Sequence, residues 1–407
     1  MLPSIVPPSY DQVITRTLSH GTTCASYFAT IHVPATNYLA TACYSRGQRA
    51  LIGRCCMDRE STCPEDYRDS SPEESITATK ATISHIQALD PTGILISPII
   101  TPRFAPSCTE QSLANLGALA AAYTPPLHIQ THISENKSEV SLVQDLFPTS
   151  KNYTDVYDTA NLLTPRTILA HGIYLSPSER DVIHTRQSKI AHCPASNSSL
   201  GSGLCPVRAL LDAGITVGLG TDVSGGFHPS VLEAVRQAYT VSRLLMHTRD
   251  DLGQDGPTDG REIISIEEGL FLATRGGAAV VDMADDIGGF DVGMFFDAQL
   301  IQLGQLRSAA PSSPSSLSSV SHHQLDKNRD QTGPISNVDI FGWETWSEKV
   351  QKWAWNGDDR NVRLVWVMGK LVHDRDGLKK AVDYSVRRIL IYLAVAFVLA
   401  FCVYNYV

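Results

Sequence analysis

"LHIQTHISENKSEV", residues 127 to 140, changes character in its middle. It opens as an alternation of apolar and polar residues and becomes a charged run with helical spacing. The period of two puts His128, Gln130 and His132 on one face of a strand and leaves Leu127 and Ile129 on the other. Polar side chains on an inward strand face need partners. A lone histidine in such a place is more often a satisfied core residue than a ligand. The alternative is a metal at the C-terminal end of the strand, with Glu135 on the following loop able to move protons beside it.

The same theme recurs on both sides of this stretch. Short apolar or β-branched runs, each followed by a helix-like segment, occur at 21–28 (GTTCASYF), 49–56 (RALIGRCC), 94–103 (ILISPIITPR), 167–175 (TILAHGIYL), 189–194 (KIAHCP) and 217–222 (VGLGTD). Counting 127–135, seven strands alternate with helices, which predicts βα units and a parallel sheet. A closed (β/α) barrel requires eight strands and carries its chemistry on the loops after the strand C-termini. Arg103, His132, Glu135, His171, His192 and Asp222 all fall at or just past predicted strand ends. An open doubly wound sheet has a similar strand count but does not readily account for that placement.

His132, His171 and Asp222 then come from the fourth, fifth and seventh visible strands and converge on one mouth, as a metal site would require. A divalent metal with an open position supplies hydroxide near neutral pH, and Glu135 can shuttle the proton. Taken singly, each has an ordinary structural role: His171 closing a strand, Asp222 capping the next helix. His192 either lines the pocket or holds its loop. The string "AHCPASN" superficially resembles the Pro-Cys zinc motif of cytidine-type deaminases but lacks their H-x-E and C-x-x-C, which excludes that family.

Composition narrows the partners. A 407-residue chain has room for one large α/β barrel or two ordinary domains. Its net charge of -9 and the absence of a basic stripe argue against nucleic acid as a partner. Nine scattered cysteines without a C-x-x-C pair suit a reduced, cytoplasmic setting; residues 1–12 are read as an irregular N-terminus, and "MLPSIVPPSYDQV" has no signal-peptide pattern. Residues 306–334 are Ser/Pro-rich and read as a disordered insertion, in which His322 and His323 are weak metal candidates. Residues 387–407 form an apolar tail after Arg387 and Arg388, at the lower edge of spanning length from 389 onward, and are a candidate membrane anchor.

Several strings together give a specific resemblance. "HGTTCASYFATIH" (20–32), "ITPRFAPSC" (100–108), "HIQTHISEN" (128–136) and "KNYTDVYD" (151–158), with "LAHGIYLS", "IAHCPASNSSL", "GLGTDVSGG" and "NGDDRNV", resemble the guanine deaminases of the amidohydrolase superfamily. The resemblance covers residues 13 to about 380 and implies a zinc-dependent TIM-type (β/α)8 barrel that hydrolyses guanine to xanthine and ammonia. It implies Zn2+ ligation by His132 and Asp222, water orientation by His171, proton relay by Glu135, and contact of Arg103 with the guanine carbonyl oxygen. Phe104 stacks on the base in this reading, or is an ordinary core aromatic. A homodimer is implied as well.

The chain also departs from that pattern. Nothing before His20 has the H-x-H of the family's first barrel strand, and His20 and His32 are too far apart to replace it. The expectation is a barrel lacking its first strand, truncated at the N-terminus relative to the family, with only two zinc ligands and impaired turnover. The barrel is assigned to 13–285, and a partial β-sandwich with C-terminal barrel-packing elements to 286–305 and 335–380. The alternatives are a deaminase of another purine or a pterin, and a non-catalytic, membrane-attached homologue.

Overall fold

The computed structural model describes residues 6–252, 260–304 and 336–377, with side chains defined only to 247 in the first of these. The Ser/Pro-rich stretch 306–334, with His322 and His323, and the apolar tail 387–407 lie outside the described residues. Among the described residues no helix is long and apolar enough to cross a membrane.

The architecture is TIM-type: one curled, all-parallel sheet with helices packed outside it. Its strands are β1 (Cys24–Phe28), β2 (Arg49–Gly53), β3 (Cys55–Cys56), β4 (Ile96–Pro102), β5 (His128–Ile133), β6 (Thr167–His171), β7 (Lys189–His192) and β8 (Val217–Leu219). The spatial order is β1-β2-β4-β5-β6-β7-β8, with β3 continuing beside β4, so the seven predicted runs occupy seven successive positions. β2, β4, β6, β7 and β8 draw on Ile, Val, Leu and Ala, as strands covered on both faces do, whereas β1 and β5 carry polar and aromatic residues among them. The intervening helices begin where the sequence supplies side-chain acceptors: Ser71, Thr109, Asn136, Asn152 and Ser176 each accept a backbone N–H of the first helical turn.

Register places successive strand ends at one level. Ile133 of β5 lies opposite His171 of β6, and His192 of β7 opposite Leu219 of β8. The main core fills the space between this sheet and its helices, with Ile100, Leu116, Ile129, Tyr157, Leu169, Ile190 and Leu210 among its buried members. β1 and β8, at the two ends of the order, are not paired with each other among the described residues. A cavity of about 650 Å³ lies between them, lined by every residue of β1 and by Gly218 to Val223.

A second, antiparallel sheet is formed by β9 (Ala298–Ile301), β10 (Val362–Val367) and β11 (Lys370–Asp374), in the order β11-β10-β9. Arg49 of β2 ties the two sheets together. Its guanidinium meets the Asp297 carboxylate through two bonds of 3.2 and 3.3 Å, both side chains 2% exposed, and lies over the Phe295 ring. Asp297 also accepts the Met368 N–H at 2.8 Å, which satisfies the buried charge further.

Candidate active site

The opening polar face of β5 resolves into three levels. At the bottom, His128 accepts from Arg166 at Nδ1 and therefore donates from Nε2 to Asp282 (3.0 Å each), which also pairs with Lys189. In the middle, the Gln130 amide accepts from Ser26 (2.6 Å) and donates to the Tyr27 carbonyl (2.9 Å) and to Thr101 (3.0 Å). Both are satisfied core residues. Gln130 and His132 both line the cavity, but His132, at the top, keeps a ring nitrogen free there.

Local structure then decides where Glu135 sits. β5 stops at Ile133, and Ser134 turns the chain with a φ of 50°. Asn136 caps the helix Lys137–Leu146 reciprocally with Glu139. The Glu139 carboxylate accepts the N–H groups of Glu135 (3.1 Å) and Asn136 (3.4 Å) and is itself held by the Tyr153 hydroxyl at 2.7 Å. The Ser134 carbonyl accepts both Ile173 and Tyr174 N–H groups at 3.1 Å, zipping this turn to the one after β6. Glu135 is thus fixed by its backbone.

Four titratable side chains cluster at the strand ends. The His132 and His171 rings stack with centroids 5.3 Å apart. His132 donates from Nδ1 to the Arg103 carbonyl, which leaves its Nε2 lone pair free. Burial, and then the neighbouring His171, pull its pKa down to about 4. Nε2 of His171 is 3.6 Å from Oε2 of Glu135, and its Nδ1 lies 2.8 Å from Oδ1 of Asn197. Asp222, just beyond β8, is close enough to act electrostatically on His132, and both line the cavity between β1 and β8. His171 and Asp222 hold φ values of 73° and 46°, a region that residues with a Cβ rarely adopt. Such strain costs on the order of 1–3 kcal/mol each and collects at functional sites. Gly225 lets the loop after β8 pass close to Asp222, since a Cβ there would lie 2.8 Å from Oδ2.

The donors present can be tested against a catalytic zinc, which takes three protein ligands and an open position. Imidazole from His132 and carboxylate from Asp222 are of the right kind. Among the described residues no group of three or more His, Cys, Asp or Glu side chains is arranged to hold a metal ion. The described set does not by itself fit the metal.

Of the other sequence candidates, Phe104 stands beside His132 and His20 lines the same cavity, whereas Arg103, His192 and His32 do not line it. Arg103 is exposed, with its guanidinium 5.6 Å from the Phe104 ring centroid; Phe104 stands edge-on to His132 at 6.3 Å. His192 is fully buried, neither ring nitrogen has a hydrogen-bond partner, and burial followed by His171 lowers its pKa to about 3. His20 packs against His228, and His32 against Tyr67. Three residues that sequence reasoning passed over belong to the site. Asn197 and Ser202 contact His171 and Glu135, and Tyr157 ties together the ends of β4 and β5. In the sequence Asn197 and Ser202 look like turn residues; only the glycines flanking Ser202 mark it.

Comparison with known proteins supplies the context. A model described as the amidohydrolase family matches residues 6–372. A probable guanine deaminase of Schizosaccharomyces pombe is 48% identical over 363 residues, which is 89% of this chain and 62% of that relative. The guanine deaminase of Homo sapiens is 42% identical over 363 residues, 89% of this chain and 71% of its own length. The chain therefore spans less than two thirds of the first of these relatives. Among solved structures, guanine deaminase from C. acetobutylicum with guanine bound in its active site superposes with a TM-score of 0.72 at 29% identity, covering 90% of this chain and 76% of that one.

Proposed function

The chain belongs to the amidohydrolase family, and on that premise we propose that its site carries out the hydrolytic deamination of guanine to xanthine and ammonia. The observation that carries the reading is the pairing of Glu135 with His171, 3.6 Å apart, at the mouth that His132 and Asp222 line. A carboxylate beside an imidazole can take a proton from water and return it to a ring nitrogen.

Guanine offers C2 as an amidine-like carbon. As water adds, its oxygen bonds to C2, the electron pair of the C2–N3 double bond moves to N3, and Glu135 takes the water proton and delivers it to N3. The tetrahedral carbon then collapses: the new hydroxyl becomes a carbonyl, its proton goes to the exocyclic amine, and the C2–N bond breaks to release ammonia. His171 orients the water. Arg103, with its fixed fork of N–H donors, is assigned to the guanine carbonyl oxygen and Phe104 to the base face, which selects an oxo purine over an amino purine. The zinc that the resemblance implies would, when bound, supply a water activated near neutral pH, but His132 and Asp222 alone fall short of the three protein ligands such a site takes. His132 and Asp222 are the residues of this chain that would face it.

The test is formation of xanthine from guanine, followed chromatographically with zinc supplied. Slow but measurable turnover is expected, falling by at least about 100-fold in Glu135→Gln, because general acid–base catalysis contributes roughly that much. Deamination of adenine or a pterin in place of guanine, or equal rates for the variant, would overturn the reading.

A further inference from the structure

Both His171 and Glu135 are held by the segment that follows β7. Residues 193–205 comprise a short helix, Pro194–Ser199, which carries Asn197, 1% exposed, and a loop after it, which carries Ser202, 7% exposed. The Asn197 Oδ1 lies 2.8 Å from His171 Nδ1, and the Ser202 hydroxyl donates to Glu135 Oε1 at 2.7 Å. The loop itself is locked. The Ser202 N–H donates to the Asn197 carbonyl at 2.8 Å, and the Ser202 carbonyl accepts the Tyr174 hydroxyl at 2.8 Å. Gly203, at a φ of 145°, admits that tyrosine, since a Cβ there would lie 2.3 Å from its hydroxyl oxygen. Neither side chain has another assigned task, and neither lines the cavity.

An amide oxygen only accepts, so a bond to Asn197 Oδ1 requires the His171 proton on Nδ1. In the singly protonated ring that proton leaves Nε2 bare, 3.6 Å from Glu135 Oε2. Ser202 occupies Oε1 and so decides which carboxylate oxygen faces the imidazole. The opposite tautomer would place an N–H against Oε2 and tie up the oxygen that must receive a proton.

We propose that Asn197 and Ser202 are positioning residues, Asn197 holding His171 in its Nδ1–H tautomer and Ser202 holding Glu135 with Oε2 turned to the bare Nε2. The proposal rests on the deaminase reading for its meaning, but not for its first test. In chain labelled with 15N-histidine, long-range proton–nitrogen correlation spectra report the tautomer of His171 directly, with or without activity. The Nδ1–H form is expected in the wild type and in Asn197→Asp, which keeps an acceptor, and a mixed or reversed population in Asn197→Ala. The second arm is kinetic. Asn197→Ala and Ser202→Ala should each lower kcat for guanine by about 10- to 100-fold, the usual range for residues that orient a reacting group, while KM changes less than about threefold. Ser202→Thr, which restores a hydroxyl, should recover much of the loss.

An Nε2–H tautomer in the wild type, or no change of tautomer in a folded Asn197→Ala, overturns the assignment of Asn197. Unchanged kcat in Ser202→Ala overturns that of Ser202. Absence of any guanine turnover alongside the expected tautomer shift would instead defeat the deaminase reading and leave the positioning of His171 standing. Should Asn197→Ala fail to fold, the wild-type tautomer alone still decides.

Discussion

Removing a single oxygen from Tyr157 should both loosen the site and destabilise the barrel, by an amount the structure allows one to estimate. The side chain is fully buried, and its hydroxyl donates to the His132 carbonyl at 2.7 Å while accepting the Ala105 N–H at 2.9 Å. Thr131 Oγ1 lies 3.0 Å away. In Tyr157→Phe the ring remains, so the apolar contacts are kept and only the polar linkage is lost. An orphaned buried donor costs about 1–3 kcal/mol, and loss of a second ordinary hydrogen bond about 1 kcal/mol more. The expected destabilisation is therefore roughly 2–4 kcal/mol, a large share of the ~5–15 kcal/mol that a folded protein has. Urea unfolding followed by circular dichroism should show a midpoint lowered by on the order of 1 M, given a slope of about 3 kcal/mol/M for a chain of this size. Hydrogen exchange locates the effect: the Ala105 amide should lose protection before the rest of β4 and β5. A midpoint within the error of wild type, with Ala105 still protected, would show that Tyr157 does not bridge the two strand ends.

The acid side of the stability curve should be governed by buried neutral imidazoles. His192 and His132 have folded pKa values depressed to about 3 and about 4, below an ordinary value of 6.5. Between those limits the unfolded chain binds more protons than the folded one, so stability is complete above about pH 6.5 and falls as pH drops toward 3. His192→Leu should flatten that fall in pH-dependent urea titrations, and an unchanged slope would remove His192 as its source. Metal analysis after dialysis and zinc re-addition should find well under one zinc per chain, because two ligands do not hold an open catalytic site. Full occupancy would show that further groups, His192 or His20 among them, complete a site.

How much of this was legible without coordinates follows from the range of the interactions involved. Strand positions were readable because each β-branched run is a local pattern: the seven predicted runs coincide with β1, β2 with β3, β4, β5, β6, β7 and β8. That the strands are parallel and curl into one sheet follows from the helix between each pair, and with it the convergence of His132, His171 and Asp222. The turn that fixes Glu135 was also local, because Asn136 and Glu139 stand three residues apart and cap one helix. What only the tertiary structure decided depends on distant partners. His128, Gln130 and His132 share one strand face, yet Asp282, Arg166, Ser26 and Thr101 satisfy the first two and leave the third at the cavity. Asn197 and Ser202 read as loop residues until folding brings them 26 residues from His171 and 67 from Glu135 into hydrogen-bond contact. Sequence periodicity reports which face a side chain occupies; which donor meets which acceptor depends on how the sheet curls around them, and no local pattern encodes that distance.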